Sequence, residues 1–231
     1  MNLCVIPARS GSKRIVDKNI KLFNGMPIIA WSILSAVESN CFDKVIVSTD
    51  SQVIADISEN YGAVIPFLRP KELADDYCGT TPVVIHAINW FIKNNENFDK
   101  ICCLYPTAPL LSFKSIIVGK NILDSSDADF SVSVSSFPYP PQRALKINES
   151  EKLEMLHPEL FNFRSQDLED LWHDAGQFYW GKKHAWLGDK TFFQGNTAPV
   201  VVPRHTVVDI DTIEDWREAE ILSQVIGTKS S

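Results

Sequence analysis

Short apolar segments alternate with helix-like segments along the first 134 residues, and this alternation limits the possible folds more than any other feature. The strand-like segments are residues 3–6, 44–49, 63–67, 100–104 and 130–134. Apolar residues recur at helical spacing in 27–39, 51–61, 80–94 and 113–123. Ser51 is a suitable N-cap for the second helix, and Pro82 suits the first turn of the third. The alternation predicts an α/β domain with a mostly parallel sheet covered by helices on both faces.

The alternation stops after Ser135, where Phe137 is followed by three prolines within four residues. Prolines at this density cannot continue a central strand or a helix. We therefore interpret about 136–175 as a segment inserted into a single domain that spans 1–231. Within it, residues 152–156 and 167–171 are weak candidate elements. After it, strands are predicted at 176–180, 198–202 and 206–211, and a closing helix at 212–225 with Thr212 as its N-cap.

The composition is that of an ordinary globular domain. The chain has 231 residues, of which 45% are hydrophobic and 22% charged. No apolar run approaches the roughly 20 residues that span a bilayer, and the first residues lack a signal-peptide pattern. The cysteines are odd in number and scattered, at Cys4, Cys41, Cys78, Cys102 and Cys103. We expect buried thiols in a cytoplasmic protein, with no membrane partner.

The loop after the first strand concentrates positive charge in an acidic chain. The formal net charge is −7, yet Arg9, Lys13, Arg14 and Lys18 fall within ten positions around Ser10–Ser12. The overall charge disfavours nucleic acid as a partner. A small-residue turn with flanking cations suits a polyanion such as a triphosphate. The spacing matches neither a P-loop nor a dinucleotide fingerprint, which makes a nicotinamide-dependent oxidoreductase a weak alternative.

Two aspartates near the end of the chain complement this loop. Asp209 and Asp211 are alternate residues of a predicted strand, with Ile210 between them, so their side chains are expected to share a face. Carboxylates side by side repel unless a cation lies between them, and Mg²⁺ prefers one or two carboxylates with phosphate oxygens and water. Ligands of open α/β sheets bind at the carboxyl ends of the strands, where both features are expected. A solvated strand end, or a helix cap at Asp211, is the competing interpretation.

Taken with further motifs, these residues resemble the CMP-sialic acid synthetase family of cytidylyltransferases. The resemblance runs nearly end to end. Its matching stretches are 6–13 with Lys18-Asn19, 42–43 with 47–50, 69–74, 106–109 and 209–212. Residues 75–80 and 174–180 look most like the branch that activates pseudaminic acid. The family implies a Rossmann-like nucleotidyltransferase fold.

The resemblance also implies a role for each matching residue in nucleotide binding. Arg9 and Lys13 would contact the CTP phosphates, Lys18 and Asn19 would hold the triphosphate and ribose, and Ser12 would also bind the nucleotide. Arg69 and Thr80 would face the cytosine, whose buried edge needs matched donors and acceptors. Asp209 and Asp211 would hold Mg²⁺, with Arg9, Lys13 and Asp211 acting in catalysis.

A second group of residues is implied to bind the nine-carbon keto sugar acid. They are Tyr105, Thr107, Arg164, Gln166, Gln177, Tyr179, Phe192 and Phe193, with Arg143 and His173 as further candidates for its carboxylate. For Phe192 and Phe193, plain core packing is the alternative, and for Arg143 and His173 it is a surface or packing role. The chain departs from the sialic acid pattern at Tyr105, where that branch has Gln, and around 164–167. Both departures fall where the sugar is expected, which favours pseudaminic acid and leaves CTP unaffected.

The sequence therefore predicts a Mg²⁺-dependent cytidylyltransferase that forms CMP-pseudaminic acid and pyrophosphate. Synthesis of CMP-N-acetylneuraminate or CMP-legionaminate is the nearest alternative, followed by activation of an eight-carbon keto acid or another sugar phosphate. A non-enzymatic nucleotide-binding regulatory module is a further one. The family also implies a homodimer, in which the segment 136–175 reaches across to the partner.

Overall fold

The computed structural model describes residues 1–75, 78–189 and 192–227. Its centre is a six-stranded sheet, in which the strands lie in the order β10 (Thr197–Val201), β6 (Phe130–Ser136), β9 (Trp172–Lys182), β5 (Lys100–Leu104), β1 (Asn2–Pro7) and β4 (Lys44–Ser48). Strand β9 is antiparallel to both of its neighbours, and every other pairing in this sheet is parallel. The prediction of a mostly parallel sheet is confirmed.

Ten strands and six helices are present in the described residues. The strands are β1 (Asn2–Pro7), β2 (Leu22–Phe23), β3 (Met26–Pro27), β4 (Lys44–Ser48), β5 (Lys100–Leu104), β6 (Phe130–Ser136), β7 (Leu145–Ile147), β8 (Leu153–Met155), β9 (Trp172–Lys182) and β10 (Thr197–Val201). The helices are α1 (Ile28–Glu38), α2 (Gln52–Asn60), α3 (Thr80–Lys93), α4 (Phe113–Ser125), α5 (Lys183–Trp186) and α6 (Ile213–Gly227).

Helices cover both faces of the sheet because successive residues of a central strand point to opposite faces and are apolar on both. In β1, Cys4 and Ile6 belong to the core that packs against α1, α2 and α4. Leu3 and Val5 belong to the core that packs against α3 and α5. All four are completely buried, as expected for a central parallel strand.

Two of the predicted strands are wrong. Residues 63–67 and the next residue make only two isolated bridges, Val64 to Ile46 of β4 and Leu68 to Thr49 just after it. Pro66 lies between these bridges and has no N–H to continue the ladder. Residues 206–211 form no strand either. Pro203 follows β10, and the chain turns through a 3₁₀ helix at Arg204–Thr206 instead of pairing with a neighbour.

The last helix begins where Thr212 predicted it would. The Asp215 N–H donates to Thr212 Oγ1 over 3.3 Å, and the Asp215 carboxylate accepts from the Thr212 N–H over 2.6 Å. This reciprocal pair resembles a capping box with Asp in place of Glu. The helix packs Trp216 and Ala219 into a third core with Ile15 and Ile210. The cationic loop and the acidic segment are thus joined through buried side chains.

Between β6 and β9 the chain leaves the sheet. It forms a hairpin of β7 and β8 and several 3₁₀ turns. Ile147 and Leu153 on the hairpin are 72% and 68% exposed, and Phe161 beyond it is 68% exposed. This is an unusual amount of apolar surface for one short segment.

In the ranges that the structure covers, no helix is long and apolar enough to cross a membrane.

Candidate active site

A polar cleft of about 240 Å³ opens at the carboxyl edge of the sheet. It lies where β1 and β5 end, and it is closed on one side by the start of α3. Its walls are Pro7, Arg9, Ser12, Lys18, Asn19, Arg69, Cys78, Gly79, Thr80, Val83, Tyr105, Pro106 and Thr107. A second hollow of about 180 Å³ shares Arg9, Ser12, Lys18 and Asn19 with it. The two hollows therefore form one continuous surface around the cationic loop.

The loop after β1 is held from beneath by its neighbours. The Ser10 N–H and hydroxyl donate to the two Asp50 oxygens over 2.7 and 2.5 Å. Asn19 Nδ2 donates to the Arg9 carbonyl over 2.9 Å. Gly11 has a φ of 74°, a left-handed conformation that glycine adopts without strain. These contacts fix the backbone around which Arg9 and Ser12 are displayed.

Asp50 carries a negative charge at the base of this loop. Partial burial opposes its ionisation, but the hydrogen bonds from Ser10 and from its own backbone, with the Arg69 charge, outweigh that effect. The pKa of Asp50 is therefore below its usual value. The carboxylate is ionised at neutral pH and can accept both Ser10 hydrogen bonds.

Arg69 forms the floor of the cleft and is only 5% exposed. Its Nε donates to Ser48 Oγ over 3.2 Å, Nη1 to the Leu73 carbonyl over 3.4 Å, and Nη2 to the Ser48 carbonyl. Burial lowers the pKa of this guanidinium, and nearby Asp50 opposes the shift. An arginine remains protonated at neutral pH even so. The cleft thus contains a guanidinium fixed by its own hydrogen bonds, in the same lining as Gly79 and Thr80.

The two aspartates lie at the other end of the cationic loop. Asp211 Oδ2 is 2.9 Å from Arg14 Nη1, and its Oδ1 is 3.4 Å from Lys18 Nζ. Lys18 Nζ also donates to the Ile210 carbonyl over 2.7 Å. Partial burial and the neighbouring Asp211 raise the pKa of Asp209, and Lys18 and Arg14 oppose the rise. Asp209 and Asp211 are thus electrostatically coupled, although the segment is a loop and not the predicted strand.

The donor set at this point fits an ion that takes few protein ligands. Across residues 1–75, 78–189 and 192–227, no three His, Cys, Asp or Glu side chains cluster as a metal cage. Two coupled carboxylates beside a cationic loop match Mg²⁺, which binds through one or two carboxylates and completes its shell with phosphate oxygens and water.

Beyond the cleft, a group of aromatic rings extends from Tyr105. Its hydroxyl is 3.1 Å from Thr80 Oγ1, and its ring centroid is 5.3 Å from that of Tyr179. The Tyr179 hydroxyl donates to Asp174 over 2.6 Å. The Phe192 ring packs against Tyr179 at an interplanar angle of 37°, with centroids 4.6 Å apart. Burial raises the pKa of both tyrosines, so both hydroxyls stay protonated at neutral pH.

Most of the residues expected to bind nucleotide meet in this cleft. Arg9, Ser12, Lys18, Asn19, Arg69 and Thr80 all line it. Lys13 belongs to the same loop but is exposed and is not part of the described lining. Asp76 and Tyr77, from the stretch that favours the pseudaminic acid branch, lie outside the described residues.

The residues expected to bind sugar are divided between the cleft and more distant positions. Tyr105 and Thr107 line the cleft. Gln177 is buried, with Nε2 donating to the Thr206 carbonyl over 2.5 Å. Phe193 is 60% exposed beside the half-buried Phe192. Arg164 and Gln166 are exposed in the segment between β6 and β9, and Arg164 pairs with Asp167 over 2.7 Å.

The two further candidates for the sugar carboxylate have local partners. Arg143 donates to the Phe163 carbonyl, and the His173 ring packs against Phe137 with centroids 4.9 Å apart. All of these sugar-binding roles remain predictions.

Sequence reasoning assigned Ser10 and Arg14 only a share in the cationic loop, and it assigned Asp50 and Asp174 no individual role. All four belong to motifs that the sequence analysis describes. The partners of Ser10, Asp50 and Arg14 are distant along the chain, and Tyr179, the partner of Asp174, was expected to bind the sugar. A contact such as Ser10 with Asp50 spans 40 residues and depends on β1 and β4 being neighbours.

Comparison with known proteins agrees with this geometry. Residues 3–202 match the protein family described as Cytidylyltransferase. The chain is 43% identical over 224 residues to the pseudaminic acid cytidylyltransferase of Campylobacter jejuni serotype O:2, covering 97% of each chain. It is 33% identical over 238 residues to the CMP-N,N'-diacetyllegionaminic acid synthase of Legionella pneumophila, covering 96% of each.

Two solved structures share the fold at low identity. One is a CMP:2-keto-3-deoxy-manno-octonic acid synthetase complexed with CTP, at a TM-score of 0.68 and 15% identity, covering 96% of this chain and 98% of that one. The other is the 4-diphosphocytidyl-2C-methyl-D-erythritol synthase of Anaerococcus prevotii, at a TM-score of 0.62 and 12% identity, with the same coverage.

Proposed function

Because the chain belongs to the cytidylyltransferase family, we propose that it transfers the CMP group of CTP to pseudaminic acid. The anomeric hydroxyl oxygen of the sugar acid attacks the α-phosphorus of CTP. The bond from that phosphorus to the oxygen that bridges the α- and β-phosphates breaks, pyrophosphate leaves with the electron pair, and the hydroxyl proton passes to water. The products are CMP-pseudaminic acid and pyrophosphate.

The observation that carries this proposal is the position of Lys18 between the cleft and the segment of Asp209 and Asp211. Lys18 lines the cleft, and its Nζ also contacts Asp211 and the Ile210 carbonyl. A nucleotide base near Arg69 and Thr80 would extend its phosphates along Arg9 and Ser12 toward the acid pair. Positioned positive charge is the main source of rate enhancement in such transfers.

Asp209 and Asp211 are the residues that would hold Mg²⁺. When bound, the ion supplies a Lewis acid that neutralises charge on the phosphates. Arg9 and Lys13 would orient the triphosphate and balance the charge that develops on the leaving pyrophosphate. Asp211→Asn should lose most activity. Asp215→Asn weakens the cap of α6 and the hydrogen bond to the Asp211 N–H, so it measures the effect of a shifted backbone with the Asp211 carboxylate still present.

Pseudaminic acid is favoured over related sugars by the 43% identical relative and by the aromatic group around Tyr105. Tyr105 lines the cleft, and the buried Tyr179 holds the exposed carboxylate of Asp174, which would be available to the substrate's polar groups. The test is the release of pyrophosphate from CTP with pseudaminic, legionaminic and N-acetylneuraminic acids. The highest kcat/KM should belong to pseudaminic acid, and a preference for either other acid would overturn the substrate assignment.

The homodimer is part of the same proposal. The segment between β6 and β9 exposes Ile147, Leu153 and Phe161, which would be costly for an isolated chain to leave in water. A second copy packed on this segment would cover them and bring Arg164 near its partner's cleft. Light scattering should give twice the monomer mass, and a monomer at working concentration would argue against it.

We also place the reaction in the cytoplasm. Cys4, Cys41, Cys102 and Cys103 are buried free thiols, which is typical of proteins kept in a reducing compartment.

A further inference from the structure

Two cations with different surroundings contact the carboxylate of Asp211. Lys18 Nζ lies 3.4 Å from Oδ1, and the Lys18 side chain is only 20% exposed. Arg14 Nη1 lies 2.9 Å from Oδ2, and the Arg14 side chain is 67% exposed. Lys18 is also anchored by the Ile210 carbonyl over 2.7 Å. Arg14 is therefore the cation that can leave Asp211 at the smaller cost.

The backbone on either side of this contact is fixed. Ile15, next to Arg14, is 3% exposed, and Ile210, next to Asp211, is 1% exposed. Both belong to the same core as Trp216. A change of partner by Arg14 therefore requires only rotation of its side chain. Ser12, which lines the cleft, is two residues away along the loop.

We propose that Arg14 is an exchangeable cation: it neutralises Asp211 in the empty site and moves to the nucleotide polyphosphate when a divalent cation binds Asp211. This inference rests on the proposed function, because it takes Asp211 as a metal ligand. It assigns to Arg14 a nucleotide-positioning role that depends on the metal.

Charge balance explains why the exchange would occur. Without a metal, Arg14 and Lys18 supply the positive charge that contacts the Asp211 carboxylate. A divalent ion at Asp211 competes for the oxygen that Arg14 contacts, and it leaves the guanidinium without its carboxylate. A phosphate group is a suitable new partner, since the planar fork of arginine binds it through two parallel hydrogen bonds. Metal and nucleotide would then assist each other's binding.

The test measures binding without turnover, using Mn²⁺ as the metal probe and CTP in the absence of any sugar acid. Calorimetry gives the Kd of Mn²⁺ alone and the Kd of CTP with and without Mn²⁺, for wild type, Arg14→Gln and Arg14→Lys. Lys120→Gln is the matched control, because Asp124 also contacts two cations, Lys100 and Lys120, at a site away from the cleft.

Arg14→Gln should bind Mn²⁺ alone about threefold more tightly, because the competing cation is gone. The tightening of CTP binding by Mn²⁺ should fall by about tenfold in this variant. Arg14→Lys should bind Mn²⁺ alone nearly as wild type but recover only part of the coupling. Lys120→Gln should match wild type throughout.

An unchanged or weaker Mn²⁺ affinity in Arg14→Gln, or unchanged coupling, would overturn the exchange. If wild type binds Mn²⁺ together with CTP while Arg14→Gln shows no change, this inference alone fails. If wild type binds no Mn²⁺ even with CTP, the assignment of Asp211 as a metal ligand fails as well.

Discussion

Ser10 donates both its backbone N–H and its hydroxyl to Asp50, over 2.7 and 2.5 Å, and so fastens the cationic loop to the end of β4. The two residues are 40 positions apart and meet because β1 and β4 are parallel neighbours. Asp50 is not among the described residues that line the cleft. We interpret it as a residue that positions Arg9 and Ser12 for the phosphates.

Loss of the Asp50 carboxylate should weaken CTP binding. In Asp50→Ala the Ser10 donors lose their acceptor, and a hydrogen bond to a charged group contributes about 1.5–3 kcal/mol. We expect the KM for CTP to rise by about tenfold or more, with a smaller change in the KM for the sugar acid. Asp50→Asn keeps one acceptor oxygen and should show an intermediate effect. Steady-state kinetics measures both.

The control for this experiment is Asp43→Asn. Asp43 flanks the other end of β4 and accepts from the Asn2 N–H over 2.6 Å, at the edge of the sheet away from the cleft. It should leave the KM for CTP unchanged. An Asp50→Ala enzyme with wild-type KM would contradict the positioning role.

The Asp50 contact also predicts a dependence of stability on pH. The folded-state pKa of Asp50 is below the unfolded value of about 3.9, so its contribution is complete above the unfolded pKa and is lost as pH falls through the folded pKa. The difference in free energy of unfolding between wild type and Asp50→Asn should be constant above about pH 5 and shrink below about pH 4. Urea denaturation at pH 3 to 7 measures this. A difference that grows on acidification would contradict the sign.

The hydroxyl of Tyr179 should matter for the sugar acid more than for CTP. It donates to Asp174 over 2.6 Å, and the residue is 2% exposed. Tyr179→Phe removes this donor and leaves the Asp174 carboxylate free to shift. We expect the KM for pseudaminic acid to rise by about five- to tenfold with little change in the KM for CTP. Tyr61→Phe, at the end of α2, is the control. An equal rise in both KM values would show a general loss of structure.

Gly119 in α4 should not tolerate a larger side chain. An added Cβ would lie 2.8 Å from Trp180 Cδ1 and 2.9 Å from Phe178 Cε2, inside the core. Alanine stabilises most helix interiors by about 1 kcal/mol relative to glycine, but overpacking here should cost about 1–3 kcal/mol. Gly119→Ala should therefore lower the Tm in calorimetry. A Tm equal to or above that of wild type would contradict the packing argument.

Local sequence patterns predicted a helix well where the apolar spacing and the capping residue lie within one segment. The apolar spacing of α1, the Ser51 cap of α2 and the Thr212 cap of α6 are all confirmed. The two wrong strands failed for a different reason. Pairing depends on a neighbour that supplies the ladder, and residues 63–67 and 206–211 read as strands locally but have prolines beside or within them.

The sequence predicted those parts of the site that lie at the ends of strands. The cleft gathers Arg9, Lys18 and Arg69 at the carboxyl edge, as the topology of a parallel sheet requires. The partners of Asp50 and Arg14 were not predictable, since each contact joins segments far apart in sequence. The different roles proposed for Arg14 and Lys18 depend on how exposed each side chain is, and the sequence alone does not give that exposure.

The most direct test of the whole account is a crystal structure of the protein with CTP and Mn²⁺, with the metal located by its anomalous signal. We expect the cytosine beside Arg69 and Thr80, the phosphates along the loop from Arg9 to Ser12, and the metal at Asp211. Nucleotide bound outside this cleft, or Mn²⁺ distant from Asp209 and Asp211, would contradict the account.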